Sequence, residues 1–151
     1  MLRWPALSAI LALGLAACAT RAGPDNAAPL ASDPAREAAA ARDVATAFIA
    51  AEARGDTAAD SLLARGADFI NGGVEVSARP RLAAVIGRGE GTVVATRTQV
   101  SGALAWVVAV YAWSGPGALG AERGRVTIIL ERGDGGWRIR HIHSSSVAPW
   151  E

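Results

Sequence analysis

Apolar residues recur every three to four positions early in the chain and every second position late in it, and this change of period divides the molecule. From Pro34, Ala41, Val44, Ala45, Phe48 and Ile49 fall on one face at helical spacing, opposite Arg36, Arg42, Asp43 and Arg54. Asp33 supplies an acceptor for the free N–H groups of the first turn, Pro34 stands where its missing donor costs nothing, and Gly55 ends the helix. Asp56 opens a second, shorter helix that carries Leu62 and Leu63 and stops at Gly66. "ADFINGGVEVSA" (67–78) sets two short apolar stretches around Asn71-Gly72-Gly73 and predicts a tight hairpin, and "RPRLAAVI" (79–86) predicts a third helical turn or two before Gly87.

Four strands follow. "TVVATRTQV" (92–100) and "ALAWVVAVYAW" (103–113) flank Ser101-Gly102, while "GRVTIILER" (124–132) and "GWRIRHIHSSS" (136–146) flank a glycine-rich turn. Helices first and antiparallel strands afterwards make an α+β layout, with about three helices on one face of a sheet. The strand 103–113 is apolar on both sides: Leu104, Trp106, Val108 and Val110 share one, and Val107, Ala109, Tyr111 and Trp113 the other. With Trp106 and Val110 placed under the helices, Tyr111 falls on the outer side, which a second copy in a two-fold homodimer would cover. In the last strand, Trp137, Ile139, His141 and His143 share a face and Arg138, Arg140 and Ser144 the other, so the apolar members place both imidazoles toward a pocket.

The segment ahead of the helices changes the expected location. After Met1–Arg3, Ala6 to Ala17 form an apolar run too short to span a bilayer, ending in Leu15-Ala16-Ala17-Cys18. This resembles the bacterial lipobox, in which the cysteine is cleaved free and lipidated; residues 1–18 are read as a lipoprotein signal peptide and Cys18 as the anchor. Ala19 in place of an aspartate favours the periplasmic face of the outer membrane. Residues 19–32, with two prolines, a glycine and small polar side chains, predict a flexible tether to a domain over 33–151. Cys18 is the sole cysteine, so the chain has no internal disulfide. All fifteen basic residues are arginines; loss of Arg3 with the signal leaves them balanced against fourteen carboxylates. That balance argues against nucleic acid as a partner and against electrostatic membrane docking, leaving the lipid to hold the membrane.

The order of elements, the W-x-I-x-H-x-H terminal strand (Trp137, Ile139, His141, His143) and "GALAWV" in the middle strand resemble the SnoaL-like branch of the nuclear transport factor two-like superfamily, over about residues 34–147. The resemblance implies a cone-shaped, curved, mainly antiparallel sheet packed on the helices, a pocket between them, and a dimer across the sheet. It implies no single activity, because the superfamily holds isomerases, cyclases, dehydratases and proteins that only bind or assemble.

Candidate chemistry therefore rests on residues. His141 and His143 can act as acid or base, or stand hydrogen-bonded at a pocket rim. Asp68 lies where the family often carries an aspartate and could serve as base with Tyr111 as donor; alternatively it bonds local backbone at a helix-to-strand junction. The strand alternation separates Asp68 from Tyr111, so one of the two assignments must give way. Trp106, Tyr111 and Trp137 are the candidate walls of an apolar ligand site, as well as candidate core. Asn71 belongs to its turn, Arg97 and Gln99 to a solvated or intersubunit face, and Glu90 is a weak candidate. Two histidines lack the third and fourth ligands that zinc requires, so neither a metal nor another cofactor is expected. Two functions stay open: a lipid-anchored domain that binds a small apolar ligand or a protein partner without catalysis, and a cofactor-independent isomerase or cyclase using His141 or His143 with Asp68.

Overall fold

The computed structural model describes residues 33–117 and 119–147. The leader, Cys18 and the 19–32 tether lie outside the described residues. Helix α1 spans Pro34–Ala53, with the Asp33 carboxylate accepting the Ala35 N–H at 2.9 Å. Its buried face holds Ala41, Ala45, Phe48 and Ile49, as the spacing requires. Asp56 likewise caps Thr57–Leu62, but this is a single 3-10 segment; Leu63–Gly66, expected in the helix, already belong to the first strand.

Six strands form one sheet: β1 Leu63–Asn71, β2 Val74–Glu75, β3 Glu90–Ser101, β4 Leu104–Ser114, β5 Glu122–Gly133 and β6 Gly136–Ser146, in the order β2-β1-β6-β5-β4-β3. Hairpins join β3 through β6 in sequence, so those pairings are antiparallel; β1 lies beside β6 in parallel. The α+β class stands, with a mixed sheet and about two helical segments among the described residues.

The third predicted helix does not form. Residues 79–86 take an irregular path that sinks Leu82, Ala83 and Val85 into the core. A helix over 79–86 would have turned the Ala83 N–H to the Arg79 carbonyl, whereas here it donates to Ser144 Oγ at 2.8 Å, and the Arg81 N–H, free in the first turn of such a helix, donates to Glu52 Oε1 at 2.9 Å. Tertiary partners outbid local periodicity.

The facing of β4 is the reverse of the expected one. Ala105, Val107, Ala109, Tyr111 and Trp113 are buried against α1 and the 79–86 segment, whereas Leu104, Trp106, Val108 and Val110 look outward. Small alanines at 105 and 109 let the helix side approach the sheet, a place where Leu104 and Trp106 would stand too tall. Tyr111 finds its room opposite Gly124 on β5: a Cβ at that glycine would collide with the phenol ring.

Candidate functional site

One extra residue in β6 decides where the histidines point. Ile129 pairs with His141 and Leu130 with Ile139, which leaves Arg140 bulged out of the ladder. The bulge moves the alternation by one position. Trp137 and Ile139 face the core before it, Ile142 and Ser144 after it, and His141 and His143 are carried to the outer face. The expected inward placement of both imidazoles is therefore corrected, and Ser144 takes the buried place that the alternation gave to a histidine. The neighbouring β1 is irregular at the same level, between Leu63 and Asp68. Arg140 spans the irregularity, donating to the Arg65 carbonyl at 2.6 Å.

That register sets Asp68 directly beside His141. Their Oδ2 and Nδ1 are 2.6 Å apart, with side chains 53% and 24% exposed. The hydrogen bond from His141 is the main reason the Asp68 carboxyl lies below the usual carboxylate range, with the Arg140 charge adding a smaller push. A carboxylate on Nδ1 fixes the tautomer and orientation of an imidazole, and the strands would hold that pair rigidly. Asp68 is thus a mid-strand residue whose carboxylate pairs with His141 and also accepts from its own backbone N–H, so the local backbone bond is present but the helix-to-strand junction is not where it sits. His143 stands beside Ile70 and Thr127, one residue pair further along the same face. The pair and His143 share the open side of a sheet.

The inner face holds a different polar set. Tyr111 Oη and Ser144 Oγ are 3.0 Å apart at fully buried positions, and burial raises the Tyr111 phenol above its ordinary value. At the far end of α1, Glu52 has a wholly buried carboxylate, with Oε2 3.4 Å from Arg79 Nη1. Asp60 bonds both Arg79, at 2.9 Å, and Arg81; the Arg81 hydrogen bond chiefly holds its carboxyl low. Arg81 also lies over the Phe69 ring at 4.9 Å. These four charges fasten the 79–86 segment to α1 and the 3-10 turn. Glu52 was legible, since it follows Phe48 by four residues on the apolar face of α1; nothing local marks Ser144, because the bulge alone brings it inside.

Of the three residues expected to wall a ligand site, Trp106 is on the outer face at 38% exposure, which corrects its inward placement. Tyr111 is inside, not on the outer side. Trp137 is core, its Nε1 donating to Glu37 Oε2 at 3.1 Å and its ring stacked under Arg132. Asn71 donates to the Pro80 carbonyl at 3.2 Å, so it braces the 79–86 segment in addition to its hairpin. Arg97, Gln99 and Glu90 are exposed. Two recesses open elsewhere: one of about 270 Å³ beside Glu37 and Arg132, the other of about 280 Å³ bordered by Gly55, Arg79 and Arg88. Neither is lined by Asp68, Tyr111 or either histidine. Among the described residues, no cluster of three or more metal-ligating side chains occurs.

The SnoaL-like domain model matches residues 41–149, which include α1 from Ala41 onward, every strand and the bulge. The chain belongs to the SnoaL-like domain family. Solved structures agree on the fold of this SnoaL-like domain. A proposed dehydratase of the NTF2-like family from Streptomyces avermitilis is 20% identical, with 78% of this chain and all of that one covered at a TM-score of 0.60. A proposed ketosteroid isomerase from Shewanella frigidimarina is 22% identical, covering 70% and 94% at a TM-score of 0.55. A proposed aromatic ring hydroxylase from Novosphingobium aromaticivorans is 16% identical, covering 78% and 93% at 0.61. No curated protein matches the chain. The neighbours carry three different proposed activities on one fold, and at these identities they speak for the fold alone.

Proposed function

We propose that this SnoaL-like domain is held on the cell envelope by lipid at Cys18 and works by docking a protein partner on the outer face of its sheet, without catalysis. The observation that carries the reading is the outer face itself. Leu104 is 50% exposed and Trp106 38%, and Val108, Val110 and Ile129 beside them are only half-buried, an apolar stripe of the kind that marks interaction sites. The inner side supports the same choice over a small apolar ligand: Phe48, Leu82, Tyr111, Ile128 and Ile142 are fully buried and occupy the space between helix and sheet. The Leu15-Ala16-Ala17-Cys18 sequence supports the anchor.

A photo-reactive residue at Val108 in the anchored protein is expected to give one discrete cross-linked product in intact cells, and Trp106→Asp to abolish it. Absence of any product at the outer face overturns the docking reading. Cys18→Ser is expected to leave the protein unlipidated; normal lipidation of that variant overturns the anchor. The isomerase or cyclase alternative retains one favouring observation, the 2.6 Å contact of Asp68 with His141. It requires turnover that Asp68→Asn and His141→Gln each abolish while the fold persists.

A further inference from the structure

The register of β6 gives the outer face a pair of imidazoles whose ring nitrogens are unequal. His141 and His143 stand two residues apart on one side of a regular stretch of ladder, with Ile142 between them turned to the core. Two residues of strand span about 6.6 Å, so the rings rise side by side from neighbouring places on one face. Asp68 takes Nδ1 of His141 at 2.6 Å. An ionised carboxylate only accepts, and that bond keeps this one ionised, so the proton sits on Nδ1 and the Nε2 lone pair is presented. Nε2 has no hydrogen-bond partner among the described residues and is not buried. His143 is exposed, with neither ring nitrogen hydrogen-bonded among the described residues. Its neighbours across the ladder, Ile70 and Thr127, carry no charge, and the Arg140 guanidinium is engaged by the Arg65 carbonyl.

Beyond the docking reading and independent of it, we infer that His141 Nε2 and His143 chelate one borderline divalent cation on the open side of the sheet, Cu2+ most tightly, with Asp68 behind His141 as a positioning residue. Imidazole suits copper, nickel and zinc, and a given set of nitrogen ligands holds Cu2+ most strongly of the divalent first-row ions. Each ring nitrogen must come to about 2.0–2.1 Å from the ion, which two side chains at alternate positions of one strand face can do together. A carboxylate on the far nitrogen of a ligating histidine fixes the ring and raises its basicity, and Asp68 is placed for that part. Two imidazoles cannot close a four-ligand zinc cage. On a solvent-facing sheet, however, water fills the positions they leave, and a tetragonal Cu2+ site with nitrogen and oxygen ligands is complete without further side chains. The bulge at Arg140 makes the site, because it carries both rings out of the core to where water can complete the shell.

The test is titration of the untagged, detergent-solubilised full chain with Cu2+ alone, followed by electron paramagnetic resonance and by the broadening of imidazole proton resonances. One equivalent is expected to bind with a spectrum of two equatorial nitrogen ligands. The ring protons of both histidines are expected to broaden away first, an observation that requires no variant; resonances lost first elsewhere on the chain overturn the site. His141→Ala and His143→Ala, with unchanged circular dichroism, are each expected to weaken binding by about tenfold or more. Asp68→Ala is expected to weaken it by about tenfold, and Asp68→Asn, which keeps an acceptor for the Nδ1 proton, by less. Equal affinity in the wild type and Asp68→Ala overturns the positioning role. Equal affinity in the wild type and the double variant His141→Ala with His143→Ala marks an adventitious ion only and overturns the chelate.

Discussion

Val107 and Val108 are neighbours of identical chemistry on β4, yet one is fully buried and the other half-open. The same contrast holds for the whole sheet. Both faces are apolar along β4, but the inner one combines small alanines with side chains that interlock with α1 and the 79–86 segment, while the outer one raises Leu104 and Trp106 above the strand. Apolarity therefore says that a face will be covered. Relief and volume say by what: the smoother alanine-bearing face takes the chain's own helix, and the taller one stays outside, the face on which the proposed docking rests.

The inner and outer roles can be broken most severely by a slip of β6. One alanine inserted between Ile142 and His143 would turn His143 inward and Ser144 outward, and a loss of about 4 kcal/mol or more is expected in urea denaturation. A stability near that of the wild type would mean that the ladder does not set the facing. Deleting Arg140 instead keeps Ile139 opposite Leu130 and His141 opposite Ile129, so the facing should persist. Next in size is Glu52→Ala, which leaves Arg79 and the buried Arg81 facing an empty carboxylate site; about 3 to 5 kcal/mol should be lost. Glu52→Gln, keeping the acceptor for the Arg81 N–H, should lose less.

The direct comparison of the faces is smaller. Val107→Ala should cost about 2 kcal/mol by removing fully buried methyl groups, and Val108→Ala less than about 1 kcal/mol in folding stability. Equal costs would abolish the distinction drawn between the faces. The finest effect concerns pH. Since its folded carboxyl lies below the ordinary range, Asp68 contributes stability that is present above its unfolded value of about 3.9 and lost as pH falls through the depressed folded value. Carbon-detected titration of Asp68 should place its midpoint below the ordinary aspartate value of about 3.9, and His141→Phe should bring it back up. Buried Tyr111 acts at the other end of the scale: its raised phenol adds stability that is present below about pH 10 and lost as pH rises through the folded value.

Much of this molecule was legible before any coordinates. Asp33 and Pro34 begin α1, its 3.6-residue stripe names the buried face, Asn71-Gly72-Gly73 turns the first hairpin, and glycine-marked connections separate four strands of period two. These are local properties, set by backbone sterics and the burial of one stripe, so the sequence carries them. It also carried the family, because element order and spacing survive where individual residues drift.

What the sequence did not carry depends on partners far along the chain. Residues 79–86 have helical spacing, but Glu52 and Ser144 claim their N–H groups from 29 and 61 residues away. A period of two determines which side chains in a strand share a face, never which face is inside, and it holds only until the ladder slips. Arg140 slips it by one, so the motif W-x-I-x-H-x-H belongs to two faces: Trp137 and Ile139 to the core, His141 and His143 to the outside, the first of them bound to Asp68. The composition of the strand was set by the sequence, and its direction by the packing of neighbouring strands, because a single unpaired residue costs little locally and reverses everything that follows it.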